Sequence, residues 1–136
     1  MIDVSIVTVG MNHLKYLKAL LPSLYGSCKP RVSFEMIYVD NCSTDGSVDF
    51  VRDYCPDAKI IINNEPLGFG ENNNRGVFAS TGKYIAIINP DIVLQPVDWA
   101  IGAAFFMSRM LHAELSGFDQ DYFIYREDED LCLEVA

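Results

Sequence analysis

The run Val4-Ser5-Ile6-Val7-Thr8-Val9, ended by Gly10, sets the fold class. Val and Ile fall on both alternations of the chain, at 4 and 6 and again at 7 and 9, the pattern of a strand buried on both faces. Asn12 is placed to cap the next segment. There Leu14, Leu17, Leu20, Leu21 and Leu24 recur at helical spacing until Gly26. The stretch reads as strand, turn, helix.

The unit repeats along the chain. Phe34 to Val39 reads as a second strand, Asp40 to Asp45 as a polar turn, and Ser47 to Tyr54 as a helix with Val48 and Val51 inward. Lys59 to Ile62 gives a third strand, and a Gly- and Asn-rich loop leads into a helix from Glu71 to Ser80. The turn Thr81-Gly82 precedes the strand Tyr84 to Ile88. Alternating strands and helices imply right-handed crossovers, a mostly parallel sheet, and helices on both of its faces. After Pro96 the rhythm changes: Trp99 to Met107 reads as a further strand and Ser108 to Leu115 as a short helix. An aromatic stretch, Tyr122 to Tyr125, then leads to an acidic helix start, Glu127 to Asp130.

At 136 residues the chain fits one domain, residues 1–136. Half of the residues are hydrophobic and 21% are charged, a composition that supports a packed core and excludes a disordered chain. The net charge is −9 and the 10 Lys and Arg are scattered, so nucleic acid is excluded as a partner. The same field repels a diphosphate, so a nucleotide bound here calls for a bridging divalent cation. The four cysteines form no CxxC pair and the two histidines lie far apart, which argues against a zinc site; scattered cysteines suit a reducing cytoplasm. The longest apolar stretch, near Trp99 to Met107, is too short to span a membrane, and the N-terminus lacks a basic segment followed by an apolar one. The expectation is a cytoplasmic protein, with peripheral association at the inner membrane face left open.

In open parallel sheets ligands bind beyond the carboxyl ends of the strands. Those ends are Thr8 to Asn12, Asp40 to Asp45, Asn63 to Gly70 and Asn89 to Asp91, all polar or glycine-rich. Asp91 follows an apolar strand and a proline, which suits an oxygen ligand for magnesium or manganese; taken alone, the tripeptide is better explained by an Asx turn in which Asp91 or Asn89 merely closes the loop. Asp40 suits an acceptor for a ribose hydroxyl or base N–H, and Asn41 can bond the same groups. Ser43, Thr44 and Asp45 are explained by capping. Gly68-Phe69-Gly70, followed by Asn72, Asn73, Asn74, Arg75 and Gly76, sets flexible backbone and amides at a helix start. It is not a Walker loop, and three successive asparagines are unfavourable enough in a helix to point to function for some of them. In Glu127 to Asp130, a solvated helix start competes with a general base whose pKa is raised by the preceding aromatics.

Five segments in order resemble the inverting glycosyltransferases of family 2 with the GT-A fold, especially bacterial rhamnosyltransferase-like members. They are Val4 to Thr8, Val39 to Ser47, Asn64 through Gly68-Phe69-Gly70 to Gly76, Asn89-Pro90-Asp91, and Gly117-Phe118-Asp119 through Glu127 to Leu131. The resemblance implies an α/β, Rossmann-like GT-A domain. It implies a metal-dependent enzyme that moves a sugar, with inversion, from a UDP- or dTDP-sugar to a hydroxyl of a glycan or lipid-linked acceptor in cell-surface polysaccharide synthesis. Asp91 matches the last acid of the family's metal motif, for Mg2+ or Mn2+. Asp40 matches the nucleobase or ribose contact with Thr8 near it, and the donor is expected against Thr8, Asp40, Asn41, Gly68, Asn74 and Asn89. Asp128 matches the proposed base, with Glu127 the second candidate, and Gly102 and its neighbours match a segment lining the sugar and acceptor side.

The chain departs from the family in three places. Gly10-Met11 stand before Asn12 where the family has Tyr-Asn, which alters the nucleobase contacts. Only Ile92 to Asp98 separate the metal motif from the Trp-x-x-Gly-Ala segment, where relatives carry several tens of residues, and the sequence stops soon after Leu131. The expectation is therefore an abbreviated domain. A catalytically degenerate or truncated nucleotide-sugar-binding module is the alternative.

Overall fold

The computed structural model describes residues 1–28, 32–93, 104–114 and 116–117. Five strands form one sheet in the order β3-β2-β1-β4-β5. Strands β1 (Val4–Gly10), β2 (Phe34–Asp40), β3 (Lys59–Ile62) and β4 (Tyr84–Ile88) are mutually parallel; β5 (Ala104–Ser108) pairs antiparallel with β4, Ile88 opposite Ala104. The helices are α1 (Leu14–Cys28), α2 (Ser47–Tyr54), α3 (Phe69–Phe78) and α4 (Arg109–Glu114). The expected α/β fold and mostly parallel sheet are present.

Period-two alternation divides the apolar side chains between two cores. Ile6, Met36, Tyr38, Ala86 and Ile88 pack with Leu17, Leu20, Leu21 and Leu24 of α1 and Val51 of α2. Val7, Ile37, Val39, Ile85 and Ile87 pack with Val77 of α3 on the opposite face. Both faces of β1 are therefore covered, as its uninterrupted apolar run requires. On the α3 side the fit is close: a Cβ on Gly76 would meet both γ-methyls of Val7 and stand 3.3 Å from Val39 Cγ2.

The amino ends of the strands are tied by Glu35. Its carboxylate accepts Ser5 Oγ (2.6 Å) and the Thr81 hydroxyl (2.9 Å) and pairs with Lys59 Nζ (2.8 Å), while Ser5 Oγ accepts the Gly82 N–H (2.7 Å). Burial pushes the Glu35 pKa up, but the Lys59, Ser5 and Thr81 donors outweigh it and hold the carboxyl at about 2.

Several boundaries differ from the sequence reading. Helix α1 passes through Gly26 to Cys28, and α3 begins at Phe69, two residues earlier than expected. Asn12 does not cap α1. It adopts a left-handed conformation (φ 56°) and its Oδ1 accepts the Thr44 N–H (2.8 Å). The cap comes from Asp45, whose Oδ2 accepts the Leu14 N–H (2.9 Å) while Oδ1 accepts the Ser47 N–H (3.0 Å) at the start of α2. One carboxylate thus serves two helix starts.

Candidate functional site

Strand order reverses direction between β1 and β4, and a cleft of about 500 Å³ opens at that point, beyond the carboxyl ends of the strands. Val9, Met11, Pro66, Leu67 and Phe69 supply apolar walls. His13, Asn41, Asn72, Asn89 and Asp91 supply the polar groups, with Pro90 between the last two. Apolar walls with a few convergent polar groups are what a small-molecule site needs.

The side chains at Asn89-Pro90-Asp91 are not used to close the turn. The Ile92 N–H donates to the Asn89 carbonyl (3.4 Å), so the backbone closes it with Pro90 at the second position. Pro90 is buried and Asp91 exposed. Both line the cleft, and among the described residues neither the Asn89 amide nor the Asp91 carboxylate has a hydrogen-bond or ion-pair partner. Asp91 is the one carboxylate among the cleft residues, and no cluster of three His, Cys, Asp or Glu that could hold an ion by itself occurs among the described residues. Magnesium retains waters and takes one or two carboxylates together with substrate phosphates. A single free carboxylate beside a free amide fits an ion that arrives with a diphosphate.

The remaining expected donor contacts divide. Asn41 lines the cleft, but its Oδ1 accepts the Leu67 N–H (2.8 Å) and its Nδ2 donates to the Leu67 carbonyl (3.0 Å). It clamps the cleft wall as a neighbouring strand would. Asp40 is buried at the end of β2, where Oδ1 accepts the Tyr38 hydroxyl (3.1 Å) and Oδ2 the Ser43 N–H (2.9 Å). Burial, then the Asp40 charge, push the Tyr38 phenol pKa up, so it stays a donor. Thr8 is fully buried and does not line the cleft, and its Oγ1 is unpartnered among the described residues. Gly68 precedes α3, and its carbonyl accepts from Asn72.

Asn74 lies elsewhere. It faces a second depression, about 440 Å³, with Phe78, Arg109, His112 and Gly117, and not the cleft that holds Asp91. The His112 pKa is lowered by burial and then by Arg109, which favours the neutral ring. Of the three successive asparagines, Asn72 bonds the Leu67 and Gly68 carbonyls and Asn73 the Phe69 carbonyl, which explains two of them by local structure. Asp128, Glu127 and Gly102 lie outside the described residues.

Sequence reasoning did not single out Asn63. Its Nδ2 donates to Asn41 Oδ1 (3.0 Å) and to Asn72 Oδ1, and its Oδ1 accepts from Arg75 (3.1 Å). This buried amide joins β3, the loop after β2 and α3 behind the Leu67 wall. The Asn-rich loop was the available signal; the pairing itself spans 22 residues and needs the fold.

Residues 5–112 match the family described as Glycosyl transferase family 2. The chain belongs to glycosyl transferase family 2. Within that family it is 31% identical over 91 residues to the teichuronic acid biosynthesis glycosyltransferase TuaG of Bacillus subtilis, covering 65% of this chain and 35% of TuaG. It is 30% identical over 95 residues to the glycosyltransferase EpsH of the same organism, covering 68% and 27%. The chain thus spans about a third or less of the length of these relatives. Among solved structures, Staphylococcus aureus TarS 1–349 in complex with UDP superposes with a TM-score of 0.62 at 27% identity, over 66% of this chain and 28% of TarS. The Pyrobaculum calidifontis mannosyltransferase PcManGT, in complex with GDP-Man and Mn2+, gives 0.75 at 19% identity over 88% and 48%. Both share the GT-A fold expected for the family.

Proposed function

We propose that this chain carries the donor site of a metal-dependent, inverting glycosyltransferase that uses a UDP- or dTDP-sugar and a glycan or lipid-linked hydroxyl acceptor. The reaction belongs to cell-surface polysaccharide synthesis and takes place on the cytoplasmic side of the membrane. No helix among the described residues is long and apolar enough to cross one.

The observation that carries this reading is the Asp91 carboxylate, without a partner among the described residues, in an apolar-walled cleft at the switch point of the sheet. The nucleoside lies against the apolar walls set by Leu67, and Asp40, whose oxygens are bonded to the Tyr38 hydroxyl and the Ser43 N–H, has to exchange one of these bonds to meet the base or ribose. Asp91, beside Asn89, would hold Mg2+ or Mn2+. When bound, the ion supplies positive charge to the leaving group. Asp128 takes the proton from the acceptor hydroxyl, with Glu127 as the second candidate. The acceptor oxygen bonds to the anomeric carbon as its bond to the diphosphate oxygen breaks, and the electron pair leaves with the nucleotide. Inversion results from attack on the face opposite the leaving group. The rhamnosyltransferase-like motifs favour a deoxyhexose, whereas the relationship to TarS, solved with UDP-GlcNAc, favours an N-acetylhexosamine.

Calorimetric titration of UDP and dTDP in the presence and absence of Mn2+ tests the reading. Metal-dependent heat with either nucleotide is expected; its absence with both overturns the proposal. Metal-dependent binding without sugar transfer or donor hydrolysis identifies a binding module.

A further inference from the structure

Among the described residues, three polar side chains in the cleft keep bonding capacity toward a ligand: Asn89, Asp91 and His13. Asn41 and Asn72 already bond the backbone at Leu67 and Gly68. A diphosphate requires donors, and Asp91 is an anion in a chain of net charge −9. His13 meets the requirement. Its Nδ1 accepts the Met11 N–H (3.0 Å), so this nitrogen carries no proton and the neutral ring is the Nε2–H tautomer. The half-buried ring packs on Tyr16 (centroids 5.8 Å apart) and lines the cleft. His13 immediately precedes α1, its carbonyl accepting the Leu17 N–H (2.9 Å), and the first turn of that helix holds no acid.

We infer that His13 is a substrate-binding residue whose Nε2–H donates to a diphosphate oxygen of the nucleotide sugar. The inference rests on the proposed donor site and adds to it a phosphate contact made by the protein itself. The Met11 N–H occupies Nδ1, so Nε2 is the ring nitrogen left to donate.

Two variants separate this role from a structural one. His13→Asn retains an acceptor for the Met11 N–H and a favourable residue before the helix, and removes the Nε2 donor. His13→Gln returns an amide N–H near that position. UDP affinity is read by calorimetry and uridine affinity by NMR shift titration, with Mg2+ and again with Mn2+. For His13→Asn, UDP affinity is expected to fall about tenfold or more, as for a lost hydrogen bond to a charged group, with uridine affinity unchanged and the same loss with either ion. His13→Gln is expected to recover most of it. Wild-type UDP affinity in His13→Asn, or equal losses for UDP and uridine, overturns the inference. So does a loss seen with Mn2+ and not Mg2+, because imidazole suits the transition metal and would then be its ligand. Failure of the wild-type chain to bind either UDP or dTDP overturns the donor-site reading, and the His13 inference with it.

Discussion

Gly76→Ala sets two physical effects of opposite sign against each other. Alanine is better than glycine in a helix interior by about 1 kcal/mol, so on propensity alone the change stabilises α3. Packing opposes it. The new Cβ would collide with Val7 Cγ1, stand 3.4 Å from Val7 Cγ2 and meet Val39 Cγ2 at 3.3 Å, and Val7 and Val39 are fully buried central-strand residues with no room to retreat. Overpacking of this kind costs about 1–3 kcal/mol. With two buried β-branched neighbours met at once, the cost lies in the upper part of that range, about 2–3 kcal/mol, so the net expectation is a loss of about 1–2 kcal/mol, or about 4–8 °C in Tm for a domain of this size. Urea unfolding followed by circular dichroism measures it directly. Val7→Ala removes both colliding methyls, so the double variant should be at least about 1 kcal/mol more stable than the sum of the single changes predicts. A Gly76→Ala protein as stable as the wild type, or strict additivity with Val7→Ala, refutes the claim that α3 is seated on β1 through a missing side chain.

Glu35→Gln should lower stability by about 1–2 kcal/mol at neutral pH, with UDP affinity unchanged because Glu35 ties the strand ends remote from the cleft. The Glu35 pKa is held at about 2, below its ordinary value of 4.5, so the stability its charge supplies is complete above pH 4.5 and is lost as pH falls toward 2. Urea midpoints of the two proteins should therefore converge on acidification, and a constant gap from about pH 7 to about pH 3 contradicts the assignment. Asn63→Ala should cost about 2–3 kcal/mol, since it strands partners on Asn41, Asn72 and Arg75, and should weaken UDP binding by loosening Leu67; thermal melts and calorimetry read both. Asp45→Ala should cost about 2 kcal/mol, more than a single cap, because the Leu14 and Ser47 N–H groups lose their acceptor together, and chemical denaturation measures it.

The sheet was legible because its signal is local. Val and Ile on both alternations of Val4 to Val9 and the helical spacing of Leu14 to Leu24 are properties of short windows, and both survive folding unchanged. Caps and amide networks were not legible, because their partners are distant in the chain. Asn12 has the residue type of a cap, yet the donor it serves is Thr44, 32 residues on, and α1 is capped from the same distant loop by Asp45. Asn74 and Asn72 are indistinguishable by composition; two residues of helix turn one toward the cleft and the other away. Asp91 could be nominated from sequence because the residue type and the strand end coincide. That its turn is closed by backbone, which frees the carboxylate, required the structure.

The central claim is that Asp91 holds the ion that brings a nucleotide diphosphate into this cleft. It is tested most directly by titrating UDP into wild-type and Asp91→Ala protein at saturating Mn2+ and again without the ion. The account predicts that Mn2+ strengthens UDP binding to the wild type and has no effect on Asp91→Ala, whose melting temperature in the absence of ligand stays within about 1 °C of the wild type, as for an exposed side chain without partners. Equal Mn2+ enhancement in both proteins contradicts it.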